Sequence, residues 1–181
     1  MNTKKYHSLI LFVLGFGIFI FTRMSYFVPT IPITIVIAPI FILRFIRTQP
    51  AGRGIGLTLL GFLVIMNISL WGIFTDAGGL SVVLFNVIRS SLLALLYFLP
   101  YLFDRLMYPK FKDKGPLSTV IFPVITTAVF FFLTIEGPFE GSYQMGKFLY
   151  GPIILNQLIS VLGLTGSVFL TSWFASVVNY V

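Results

Sequence analysis

Three long stretches of this chain carry no charge at all. Residues 55–74, 117–135 and 153–178 contain no Asp, Glu, Lys or Arg. An α-helix needs about 20 mostly apolar residues to cross the hydrocarbon core of a bilayer. Three further runs, 8–22, 28–43 and 80–103, are similarly apolar, and only Arg89 interrupts them. The first two are short, so they tilt little or thin the bilayer locally. Hydrocarbon offers no partner to free backbone groups, so each run must be helical or part of a closed barrel. None alternates polar and apolar residues with period two, which excludes the barrel. The expectation is an all-α integral membrane bundle of about six transmembrane helices, forming one domain over residues 1–181. Turn and charge signals separate the runs at 22–25, 44–53, 76–79, 104–116 and 136–151.

Composition agrees. The chain is 57% hydrophobic and 9% charged, where a soluble domain is roughly 45–50% apolar and about 25% charged. Twelve basic and five acidic side chains cannot cover a soluble 181-residue fold. Twenty-one Phe and 17% aromatics exclude disorder.

The charges set an orientation. With the N-terminus in the cytoplasm, Lys4, Lys5, Arg44, Arg47, Arg53, Arg105, Lys110, Lys112 and Lys114 fall inside, and Arg23 and Lys147 fall outside. That is the positive-inside bias of a membrane protein. The +7 net charge is thus a topology signal. No basic stripe interleaved with aromatics lies outside the spans, so nucleic acid is not an expected partner. The first run follows Lys4-Lys5 as in a signal peptide, yet the sequence from Thr22 to Tyr26 lacks a small-x-small cleavage site. It reads as an uncleaved first span.

Few residues can carry chemistry. There is no Cys, and His7 is the one His. A His- or thiolate-built metal cage is excluded, and no cofactor or catalytic residue is expected. Pro29, Pro32 and Pro39 crowd the second run. They mark either a broken helix lining a cavity or, the favoured reading, an irregular entry followed by a kinked helix. Arg89 lies deep in the fourth run, where a charge needs a partner. Asn86 and Ser90 share its polar stripe. Two readings stay open. Arg89 binds the phosphate of a lipid or substrate headgroup, or it is structural, pairing with Asp76 or Glu136 or snorkelling to the interface. Glu136 and Glu140 belong to a Gly-rich surface loop with no nearby nucleophile. Gly52, Gly54 and Gly56 follow no strand, so they signal a tight turn rather than a nucleotide site. Asn67-Ile68-Ser69 matches a glycosylation triplet but lies inside a span. Ser160, Gly163, Gly166 and Ser167 read as small residues for close helix packing.

The C-terminal third has a more specific pattern. Residues Gln157-Leu158, Ser160, Gly163, Gly166 and Phe169-Leu170 lead into Ala175-Ser176 and Asn179. This resembles a helix in the membrane domain of the apolipoprotein N-acyltransferase family. Leu99-Pro100-Tyr101-Leu102-Phe103-Asp104-Arg105-Leu106 is similar to the family's helix end before a basic cytoplasmic loop. Glu136 with Tyr143-Gln144 is similar to its outer surface segment.

The resemblance implies a place in the bacterial cytoplasmic membrane and a role in lipoprotein biosynthesis. That family moves an acyl chain from a phospholipid to the N-terminal amine of a lipidated Cys, using Glu, Lys and Cys of a nitrilase-like domain. Nothing in these 181 residues matches that domain, and a chain without Cys cannot form the thioester. The expectation is therefore a lipid-binding membrane module, inactive alone, that holds phospholipid or lipoprotein substrate, either as a fragment of a longer protein or working with a separate nitrilase-like chain. Its candidate contacts are Arg89, Asn86, Glu136, Tyr143, Gln144 and Gln157. The alternative is a stand-alone polytopic protein, transporter-like or an assembly subunit, reusing the same scaffold.

Overall fold

The computed structural model describes residues 3–22, 29–71, 80–135 and 153–180, and over these the chain is all-helical. Among the described residues six α-helices follow one another: α1 Thr3–Phe19, α2 Thr34–Thr48, α3 Ala51–Leu70, α4 Leu80–Phe111, α5 Leu117–Ile135 and α6 Ile153–Val178. Among the described residues, three helices are long and apolar enough to cross a membrane: Ala51–Leu70, Leu80–Phe111 and Ile159–Val178. Tyr6–Thr22 and Leu117–Leu133 are apolar but shorter.

The helix ends differ from the apolar runs for identifiable reasons. The second run opens at residue 28, but α2 begins only at Thr34. Pro29 and Pro32 precede it, and a proline biases the residue before it away from helical geometry. The entry is held instead by the Ile31 amide, which donates to the Phe21 carbonyl at 2.8 Å. Pro39 then sits inside α2, buried. An irregular entry and a proline-bearing helix are therefore what the three prolines produce.

At its other end α2 continues past Arg44 and Arg47 to Thr48. Gln49 and Pro50 turn the chain directly into α3. A Cβ on Gly54 would lie 3.2 Å from the Ile46 carbonyl oxygen and 3.1 Å from the Gln49 Cβ. Gly54 thus sits in close contact with this corner, while Gly52 and Gly56 face open space.

The fourth helix shows the largest difference. Residues 104–116 read as a loop, yet α4 runs on to Phe111. At 1.5 Å per residue its 32 residues span about 48 Å, well beyond a hydrocarbon core of about 30 Å. Its last two turns therefore have room to reach the membrane surface.

Helix α1 packs on α2, α3 on α4, α5 on both α4 and α6, and α2 on α6. Aromatic rings fill the space between them. Phe62 of α3 meets Phe16 and Phe19 of α1 at 5.1 and 5.3 Å between ring centroids, both edge-on. It meets Tyr101 of α4 at 5.2 Å. Tyr101 continues to Phe122 of α5 at 4.9 Å, and Tyr97 to Phe130 at 4.7 Å. Offset and edge-to-face pairs are the favoured ring geometries. Polar side chains add links between helices. Trp173 Nε1 of α6 donates to Thr119 Oγ1 of α5 at 3.2 Å. Asn67, of the glycosylation-like triplet, donates to Leu63 O within α3 at 2.8 Å.

Two glycines act differently from one another. A Cβ on Gly61 would lie 2.5 Å from the Phe16 ring. Gly61→Ala should therefore lower stability by about 1–3 kcal/mol, the usual range for overpacking. Unfolding of the purified protein by titration with SDS measures this, and Phe16→Leu in the same chain should recover part of the loss. Unchanged stability in Gly61→Ala would contradict the packing. Gly163, by contrast, does not mediate packing. Its φ of 69° and ψ of 174° break α6 into two segments, and nothing lies within 4 Å of where its Cβ would be. Such a conformation is essentially restricted to glycine. Of its expected packing partners, Ser167 is buried and Ser160 is exposed.

Candidate functional site

The most constrained polar site is a joint between α2, α4 and α6. Arg47 Nε donates to Asp104 Oδ2 at 2.8 Å, and Arg47 Nη2 to Asp104 Oδ1 at 2.7 Å. The pair is a two-pronged fork, the strongest geometry for Arg and carboxylate. It is also dry: the Asp104 side chain is 0% exposed and that of Arg47 7%. Tyr108, one turn beyond Asp104, places its ring 3.8 Å from the Arg47 guanidinium carbon. A ring face at that distance stabilises a cation.

The third helix joins through α6. Arg47 Nη2 also donates to Ser176 Oγ at 3.4 Å. Asn179 Nδ2 donates to Ile40 O on α2 at 3.0 Å and to Ala175 O at 2.8 Å. Arg105 completes the joint. Its Nη2 donates to Gln49 O at 2.8 Å and its Nη1 to Arg47 O at 3.4 Å. A helix leaves its last carbonyls without internal partners, so Arg105 satisfies the end of α2 and favours its dipole. The C-terminal ends of α2, α4 and α6 thus lie together. Arg47 Nη1, Arg105 Nε and the Tyr101 hydroxyl are buried there without a hydrogen-bond partner.

The chemistry of this joint is mechanical. Its Ser176 hydroxyl has no free base beside it, because the carboxylate of the joint is fully engaged by a guanidinium. Removing one partner would strand a buried charge, so the pair fixes which helix ends meet.

The residues expected at a binding site lie elsewhere. Asn86 and Ser90 are buried on one face of α4, and Arg89 beside them is half-buried. The Asn86 Nδ2 has no hydrogen-bond partner. Gln157 is exposed near the start of α6. Glu136, Tyr143 and Gln144 lie outside the described residues, as does Asp76, a proposed partner of Arg89. Asn86, Arg89 and Ser90 lie within five residues of one another on α4.

Sequence reasoning missed the role of Arg47 and Asp104. Both sat in segments read as turn and charge signals between the apolar runs. One available clue was that Asp104 is flanked by Leu102, Phe103 and Leu106, an unusual setting for a solvated acid.

Comparison of the chain with protein-family models, with curated proteins and with solved structures found no match. The fold itself defines the class: a helical protein whose longest helices have the length and apolarity of membrane spans.

Proposed function

We propose that this chain is a six-span module of the bacterial cytoplasmic membrane that holds phospholipid or lipoprotein substrate for lipoprotein N-acylation, without forming the acyl bond itself. The observation that carries this reading is the joint at Arg47. Two of the three stretches that carry the family resemblance, Leu99 to Leu106 and Leu155 to Asn179, lie far apart in sequence. Asp104 and Arg105 come from the first, Ser176 and Asn179 from the second, and all four bond to α2. Two distant similarities that converge on one structural element support a shared scaffold over two coincidences. The absence of Cys supports the second half of the reading. Acyl transfer through a thioester needs a thiolate, so the thiol must come from outside these 181 residues.

Two measurements test this. The purified chain, mixed with phospholipid and a diacylated lipopeptide, should yield no triacylated product by mass spectrometry. In nanodiscs, a diacylated lipopeptide bearing a photoreactive acyl chain should crosslink saturably to the protein and be displaced by unlabelled lipopeptide. Triacylated product would overturn the non-catalytic role. Crosslinking that neither saturates nor yields to competitor would overturn the substrate-holding role.

A further inference from the structure

A cleft of about 600 Å³ opens where the start of α1, the end of α2 and the start of α3 meet. That size lies within the roughly 300–1,000 Å³ typical of ligand clefts. Its lining is layered. Tyr6, Ser8 and Arg53 supply polar groups, and Phe12, Phe45 and Leu57 supply apolar walls. Arg53 and Tyr6 stand close to helix ends. With a rise of 1.5 Å per residue, Phe12 lies about 9 Å further along α1 than Tyr6, and Leu57 about 6 Å further along α3 than Arg53. The cleft therefore has a cationic, hydroxyl-bearing mouth and an apolar interior.

We infer that this cleft binds one anionic diacyl glycerophospholipid of the cytoplasmic leaflet, its phosphate on Arg53 and an acyl chain against Phe12, Phe45 and Leu57. Charge complementarity argues for that occupant. Arg53 is exposed and makes no hydrogen bond or ion pair among the described residues. No acidic residue occupies the first turn of α3, and no side chain caps it, so nothing local competes for the guanidinium. A guanidinium fork suits phosphate oxygens, while a zwitterionic choline headgroup would set a second cation beside it. Continuity argues for a lipid over a soluble anion. The apolar wall extends onto an uncovered face of α1, where Leu9 and Val13 are 59% and 58% exposed. The positive-inside orientation puts this end at the leaflet where anionic lipids attract basic residues. The test needs no acyl acceptor, so it stands apart from the acyltransferase reading.

Native mass spectrometry of the full chain, released from micelles holding equal amounts of phosphatidylglycerol and phosphatidylcholine, decides the matter. The wild type should retain phosphatidylglycerol over phosphatidylcholine by roughly fivefold, the effect of one basic residue at an anionic surface. Arg53→Gln should bring the two lipids near parity, Arg53→Lys should keep the preference, and Arg44→Gln, an exposed charge outside the cleft, should leave it unchanged. Leu57→Trp, which fills the apolar wall, should lower occupancy by either lipid. Parity in the wild type, or equal losses in Arg53→Gln and Arg44→Gln, would overturn the site. So would a dimer lost in Leu57→Trp while lipid occupancy stays the same, because the cleft would then be a contact between two copies. Arg53 is exposed, so its variants keep the test informative if Leu57→Trp does not fold.

Discussion

Asp104→Ala should destabilise the bundle by about 3–5 kcal/mol, the usual cost of stranding one half of a buried ion pair. The carboxylate is fully buried and accepts both prongs of Arg47 at 2.8 and 2.7 Å. Without it, the guanidinium keeps only the long contact to Ser176 and the face of Tyr108. A guanidinium stays charged in proteins. It must remain buried at a cost, or swing out and pull α2 away from α4. The loss should therefore exceed the worth of two hydrogen bonds. Arg47→Met combined with Asp104→Leu should recover most of it, since well-packed apolar side chains often replace a buried pair at little net cost. Unfolding of each variant by SDS titration in mixed micelles reads these differences. A change below about 0.5 kcal/mol in Asp104→Ala, typical of an exposed position, would mean that the carboxylate is solvated.

Phe62→Ala should also have a large effect, about 2 kcal/mol. In a water-soluble core, a Phe→Ala change costs about 3–5 kcal/mol, part of it the transfer of the ring out of water. In a bilayer that part largely cancels, because lipid tails already surround the ring when the helices separate. The cavity and lost dispersion contacts remain. Phe62 is completely buried and touches rings on α1 and α4. Its removal therefore loosens three helices at once. The same SDS titration checks this, with Phe132→Ala as the reference, since Phe132 is 66% exposed on α5. Equal losses in the two variants would contradict a core centred on Phe62.

Helical class was legible in the sequence because uncharged runs of this length leave few other structures in hydrocarbon. The ends of α5 and α6 coincide with the ends of their runs, where Pro116 and the flanking Gly and charged residues stop the pattern. The ends of α2 and α4 do not. There charged residues read as the start of a loop, but Arg47 and Asp104 neutralise each other and the helices run through them. That pairing joins residues 57 apart, and helix periodicity holds no information at that distance. The same limit separates Arg89 from Arg47. A lone Arg in the middle of an apolar run draws notice. An Arg at the edge of one looks like topology, although Arg47 is held by Asp104 through both prongs of its guanidinium. Gly163 shows a related limit. Its spacing from Gly166 suggested packing, whereas its role is set by a backbone angle that sequence does not display.

The orientation of the bundle can be tested cleanly because the chain has no Cys. Each single Cys introduced by mutation is then the sole target for a membrane-impermeant maleimide. With six spans and an inward N-terminus, Ser142→Cys should label in intact cells, and Lys112→Cys only after the membrane is opened. Labelling of both in intact cells, or the reverse order, would contradict the six-span bundle with an inward N-terminus.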